Sequence, residues 1–511
     1  MTLATAPVLA TLFASAQARV LSHADLAIIC AYLVGVTLFG LHFRKGDNSL
    51  RGYFLAGGEI PWWAVSLSVV AAETSTLTII SVPGIAYGGN WRFEQLVLGY
   101  LLGRVIVCLL FLPRYFRGEL LTAYQLIGQR FGPRLHTLTS LLFLFLRAAA
   151  EGVRVFAVSI VVGIALGLGS TISIAIICAL TLVYTLEGGL TAVIWTDVVQ
   201  VILYLAGSLV AFLLLGAHVP GGWPMIARSA HAAGKLSIFH FAFNVSDTYT
   251  FWAAVFGGCF LTMASHGTDQ LMVQRLLSAG SLRASRLALL SSGVIILLQF
   301  TLFLAIGTGL FSFYYGAATV LPDHLFPRFI VEQMPRGAAG LLVASVLAAA
   351  MSNLSAAVNS LSSASMVDFL LRWRPALSAA ARTYASRALT LFWALLLFVL
   401  ALLSRGGGHV VEIGLAIASV AYGALLGVFL LGTLCQRATE TGAILGMVSG
   451  LTLNLLLWLQ PGPLKVSFLG YPTVLPKVAW TWFVLLGSLT TYAVGWAASI
   501  AARATYAKEV Q

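Results

Sequence analysis

The chain has 511 residues, 59% hydrophobic and only 9% charged, where soluble proteins are roughly 45–50% and about 25%, and its mean hydropathy is +0.95; so few charges exclude a soluble fold. An all-α polytopic membrane protein follows, because at about 20 residues per span the length holds roughly a dozen or more spans and no large extramembrane domain. The basic excess, 29 Lys and Arg against 17 Asp and Glu for a net +12, sits in short loops, which excludes nucleic-acid binding and marks membrane topology instead.

The first 18 residues end in Ala16-Gln17-Ala18, a small-residue pattern like a leader cleavage site. They have no Lys or Arg before Arg19, so an apolar lead-in to the first span is preferred over a cleaved leader. Apolar runs then predict thirteen spans, at 25–43, 61–88, 95–116, 135–168, 171–186, 190–217, 249–267, 283–313, 337–371, 380–404, 409–434, 438–459 and 476–502. An odd count puts the termini on opposite sides. Alternating the loops gathers most Lys and Arg on one side and leaves Arg104, Arg147 and Arg154 inside spans; the richer side is cytoplasmic, with the C-terminus inside and the N-terminus outside. The cysteines lie in apolar runs without metal-ligand spacing and are expected to pack as small hydrophobes. Gly57-Gly58 and Gly406-Gly407-Gly408 punctuate loops, and no phosphate-cradling motif follows either.

Two of these runs carry polar interruptions. Glu73-Thr74-Ser75-Thr76 breaks 61–89, with Pro83-Gly84 and Gly88-Gly89 beyond it, and Ser265-His266-Gly267-Thr268-Asp269 breaks 249–277. Each opens a group of five spans, so the chain divides into a lead-in with an extra span (1–60), a first repeat (61–217), a second repeat (249–434) and added C-terminal spans (435–511). Breaks at corresponding places in two halves point to an inverted-repeat transporter with its site at the breaks; two kinked structural helices are the plainer alternative.

Carbonyls freed at a break survive in a membrane only where they are buried in protein or line a cavity, and they suit a hard monovalent cation. The span 337–371 offers further oxygens: Ser352, Ser355, Asn359 and Ser363 recur at three- and four-residue steps along one helical face. Such a stripe also serves plain helix packing. Asp197, inside an apolar span, could bind a cation, accept a proton or cap a helix. Arg147, Glu151 and Arg154 are spaced i, i+4, i+7 on one face. One Glu neutralises one Arg, so an anionic substrate group could supply the missing partner, unless Glu73 or Glu412 completes a structural ion network. His266 and Ser265 at the second break, and Glu73 at the first, are substrate or proton-handling candidates; for a lone buried histidine a backbone-bonded packing role is the competing reading. Trp62, Trp63 and Trp91 fit an interfacial belt.

Set together, SLSVVAAETSTLTIISVPGIAYG, GGLTAVIWTDVVQ, TDQLMVQRLLSA and AAAMSNLSAAVNSLSSASMVD resemble the sodium/solute symporter family, in this order and over about residues 25 to 460. The resemblance implies a leucine-transporter-type 5+5 inverted repeat and alternating-access symport. It implies a principal sodium site of the Ala71, Thr74 and Ala349 carbonyls with the Ser352 and Asn353 side chains, Asn353 standing where a second hydroxyl is usual. A second sodium would use Asp197, Ser352 and Ser355, with Ala356 in place of a further serine. The stretch GLAIASVAYG lacks the glutamine of the sodium/glucose branch. Sialic-acid-type members are closer, which places Ser75, Thr78 and Phe93 at ligand positions and either Arg147 or Arg154 on a substrate carboxylate. The expectation is sodium-coupled uptake of a small carboxylate-bearing solute, such as a sugar acid, amino acid or monocarboxylate, with sodium as the only cofactor-like ion and the bilayer as partner. Neutral-sugar symport, proton coupling through Glu73 or Asp197, and a non-transporting sensor are the alternatives. No nucleophile-base pair or metal cluster suggests an enzyme.

Overall fold

The computed structural model describes residues 21–42, 60–117, 123–184, 190–314, 321–374, 376–405, 409–460, 462–468 and 471–509. The leader-like residues and both glycine clusters lie outside them. In chain order the first half holds α1 (His23–His42), the bent pair α2 (Trp62–Glu73) and α3 (Thr76–Gly88), α4 (Trp91–Arg117), α5 (Ala123–Phe131), α6 (Pro133–Leu166), α7 (Ser170–Tyr184), α8 (Leu190–His218) and the amphipathic α9 (Gly222–Ala232). The second half holds α10 (Phe251–Gly267), α11 (Gln270–Leu277), α12 (Leu282–Phe313), α13 (Pro322–Gln333), α14 (Ala338–Ala364), α15 (Ala379–Leu403), α16 (Val410–Leu434), α17 (Glu440–Leu459) and α18 (Phe483–Glu509).

Helix ends follow local chemistry. Thr250, Ser281, Ser378 and Thr439 each accept a backbone N–H three residues on, capping α10, α12, α15 and α17. Pro133 opens α6, and Gly167 closes it at φ 68°, where only glycine is at ease. Among the described residues eight helices are long and apolar enough to cross a membrane, nine if α2 and α3 count as one span bent by 65°. The expected thirteen is therefore not reached by length and composition: His23–Val36, Ser170–Ala179 and Arg387–Leu403 are shorter apolar segments. A small departure from the all-helical expectation lies between α17 and α18, where β1 (Leu464–Phe468) and β2 (Tyr471–Leu475) pair antiparallel, Leu464 opposite Leu475. Two short runs flanked by prolines are too brief for periodicity to show.

Small residues let the helices approach. A Cβ on Gly99 of α4 would stand 2.4 Å from the Val255 carbonyl oxygen of α10, one on Gly103 2.5 Å from that of Cys259, and one on Gly258 2.3 Å from that of Leu96. Without a hydrophobic drive between helices in lipid, this GxxxG contact supplies packing directly. Gly446 and Gly450 of α17 meet Thr491 of α18 in the same way. Replacing Gly99 with Leu should sharply lower the yield of monodisperse protein in detergent, while Gly35→Ala, where a Cβ meets nothing within 4 Å, should leave it unchanged.

Both halves of the bent pair pack on α12, and each also bonds a different further neighbour. In α2, Ser68 bonds the Asp197 carboxylate of α8 (2.6 Å). In α3, Ser81 donates to Asp323 of α13 (2.8 Å), and the same carboxylate accepts the Val410 N–H that begins α16 (2.8 Å) and faces His409 Nδ1 at 3.1 Å.

Candidate functional site

The first break is two residues long, Thr74 and Ser75, rather than four. Thr74 N–H still bonds the Val70 carbonyl (2.8 Å), but Ser75 N–H turns back to Glu73 (3.2 Å) and Thr78 N–H reaches only to Ser75 (2.9 Å). The carbonyls of Ala71 and Thr74 thereby lose the i+4 donors a continuous helix would give them. Gln299 of α12 donates to the Thr74 hydroxyl (2.8 Å), and Tyr204 of α8 donates to the Gln299 oxygen (3.2 Å), which fixes the bend from behind.

The second break is also narrower than the five polar residues suggested. Ser265 and His266 remain in the last turn of α10, joined through Ser265 Oγ and His266 Nδ1 (2.9 Å). The hydroxyl of Thr268 bonds back to the Ala264 carbonyl (2.7 Å), and Asp269 caps α11 by accepting Leu271 N–H (2.9 Å). Polar side chains here finish one helix and start the next, so only Thr268 and Asp269 leave helical geometry.

Buried charges sort into separate groups. Glu73 is bound by Arg104 of α4, a fully buried guanidinium that also bonds the Tyr100 carbonyl and Ser292 Oγ, each at 3.3 Å. His266 Nε2 stands 3.5 Å from the same carboxylate. Glu412 accepts the Tyr249 hydroxyl. Glu73 and Glu412 thus serve other partners, and on α6 Arg147 (3.5 Å) and Arg154 (3.3 Å) share the single carboxylate of Glu151. Asp197 is paired with Arg275 of α11 at 3.2 Å, and Arg275 Nε also donates to Ser68 Oγ (2.9 Å). Arg104, Gln299 and Arg275 were not singled out from sequence for these roles. An arginine inside a span with no acid three or four residues away on its own helix was the available signal for Arg104, since such a charge demands a partner elsewhere.

A cavity of about 160 Å³ opens at the two breaks. Glu73, Ser75, Thr78 and Phe93 line one side, Arg147 and Arg154 of α6 another, and Ser265 and His266 a third, so the structure gathers the eight expected substrate residues around one space. Phe93 lies flat against Phe300, ring centres 5.5 Å apart. Asn353 reaches the cavity from α14, while Ala71, Thr74, Ala349, Ser352 and Ser355 are buried away from it. Asp269 and Tyr422 also line it, neither with a role assigned from the sequence, and the Tyr422 hydroxyl donates to Asp269 Oδ2 (2.9 Å).

Residues 53–450 match the family model described as "Sodium:solute symporter family". The chain belongs to this family. Membership makes it a multi-pass membrane transporter whose co-transported ion is sodium. It is 27% identical over 434 residues to the sodium/sialic acid symporter of Proteus mirabilis, covering 83% of this chain and 87% of the relative. It is 28% identical over 449 residues to the human sodium/iodide cotransporter, covering 85% and 69%. A solved sodium-coupled sialic acid symporter in a substrate-bound, outward-open state superposes with a TM-score of 0.79 at 24% identity, covering 94% of this chain and 98% of the other. That likeness establishes the fold, which is the leucine-transporter type that the family resemblance implied and with which the two breaks agree.

Proposed function

We propose that this symporter carries a small carboxylate-bearing organic solute into the cell together with sodium. The observation that carries the proposal is the α6 wall of the cavity, where two guanidiniums share one carboxylate and leave a positive charge facing the space. Uncompensated charge is expensive within a membrane, and a substrate carboxylate supplies the missing partner through charge-assisted bonds. Named relatives that act on sialic acid and monocarboxylates support the same class.

The principal sodium is assigned to the released carbonyls of Ala71 and Thr74 together with Ala349, Ser352 and Asn353 of α14. A second sodium would need Asp197, Ser352 and Ser355, and would draw on a carboxylate already paired with Arg275. Glu73, Ser75, Thr78, Phe93, Ser265 and His266 complete the substrate surface. The two repeats are assigned to 61–217 and 249–434, and the distribution of Lys and Arg among the loops supports a cytoplasmic C-terminus with the N-terminus outside. Transport, and not an enzymatic step, is the activity.

Sodium binding between α2 and α14 would favour the substrate-competent conformation, so that differential affinity couples the two fluxes. Uptake into proteoliposomes is expected to follow an imposed sodium gradient, with Ser352→Ala raising the sodium concentration for half-maximal rate by about tenfold, as loss of a charge-assisted contact implies. Uptake that followed a proton gradient and ignored sodium would sink the coupling, and uptake of neutral sugars alone would sink the carboxylate.

A further inference from the structure

The lining charges of the cavity do not all cancel in place. Glu73 is matched by Arg104 and Arg275 by Asp197, each pair in contact. Two unmatched charges remain: one positive, shared by Arg147 and Arg154 over Glu151, and one negative, at Asp269. Among the described residues Asp269 takes part in no ion pair; its bonds are the Leu271 N–H on Oδ1 and the Tyr422 hydroxyl on Oδ2. It is 7% exposed, and what it exposes borders the cavity. Tyr422, which donates to Asp269, lines the same cavity as Arg147 and Arg154.

A carboxylate substrate alone fits one pole and leaves the other without a partner. A carboxylate has about four lone-pair positions, and Asp269 uses one on each oxygen, which leaves acceptor capacity directed at a donor. We infer that Asp269 is a specificity residue: the solute bears, besides its carboxylate, a hydrogen-bond donor, hydroxyl or ammonium, that Asp269 receives while Arg147 and Arg154 hold the carboxylate. A site built around a buried acceptor rejects the analogue that lacks the donor far more strongly than an apolar site rejects a missing methylene. The transported class is then hydroxy or amino acids, including hydroxylated sugar acids, and excludes plain monocarboxylates. This rests on the carboxylate assignment made above.

The test is binding of propanoate, lactate, alanine and N-acetylneuraminate to the purified full chain in sodium, with wild type, Asp269→Asn, Arg147→Gln and Arg154→Gln. Asparagine caps a helix as well as aspartate, so Asp269→Asn keeps the start of α11 while removing the charge. In wild type, at least one donor-bearing acid should bind about tenfold or more tightly than propanoate, as expected for a bond to a charged acceptor. Asp269→Asn should erase that advantage and leave propanoate within about twofold. Should that variant not fold, Tyr422→Phe, which frees Oδ2 from its competing donor, should strengthen the donor-bearing acid and leave propanoate unchanged. Equal binding of all four acids by wild type, or an equal loss for all in Asp269→Asn, overturns the inference. Indifference of every acid to both Arg147→Gln and Arg154→Gln, or binding of neutral sugars only, instead overturns the carboxylate assignment on which it stands.

Discussion

Arg104→Leu is expected to destabilise the folded protein by about 3–5 kcal/mol, the usual consequence of removing one partner from a buried ion pair. The guanidinium is fully buried and joins Glu73 of α2 to the Tyr100 carbonyl and Ser292 of α12. Without it, among the described residues, Glu73 keeps only His266 Nε2 as an ion-pair partner, at 3.5 Å, and an uncompensated carboxylate sits next to the bend. The double variant Arg104→Leu/Glu73→Gln should recover most of the loss, because neutralising both members removes the stranded charge. Thermal unfolding in detergent measures both, and a single variant as stable as wild type would show that the pair contributes nothing net.

The second large effect is on substrate affinity. Arg154→Gln leaves Arg147 and Glu151 as a balanced pair, and Arg147→Gln leaves Arg154 and Glu151 likewise, so neither change strands an acid. If both guanidiniums hold the substrate carboxylate, each replacement should weaken binding by about tenfold or more, since a hydrogen bond to a charged group contributes about 1.5–3 kcal/mol. The triple variant Arg147→Gln/Arg154→Gln/Glu151→Gln removes the whole cluster without a net local charge and should abolish saturable uptake. Affinity retained within about twofold in both single variants would return the arginines to a structural role.

Most of the architecture was legible in the sequence because lipid imposes a single rule, that apolar runs become helices. The location of both breaks was legible too, but not their width. Thr268 and Asp269 read as disruptive polar residues, yet one bonds back into the helix behind and the other caps the helix ahead. The convergence of Ser75, Phe93, Arg147 and His266 on one cavity followed from the break pattern and the family resemblance together. Long-range pairing was not legible: Arg104 is 31 residues from Glu73, and Arg275 is 78 from Asp197. Only the helix rotations bring such groups together, and spacing within a single helix carries no trace of them. Asp269 went unassigned because a capping residue and a substrate acceptor look alike in a sequence.

The separate anchoring of α2 and α3 has a mechanical consequence. One half of the bent pair is latched through Ser68 to α8 and α11, the other through Ser81 to α13 and the start of α16. The two latches share no residue, and the 65° bend lies between them. Each latch can therefore be removed by substitution without touching the other, while both halves keep their shared packing on α12. A cysteine cross-link placed across α3 and α13 would then fix that half of the pair while leaving the Ser68–Asp197–Arg275 latch of the other half untouched.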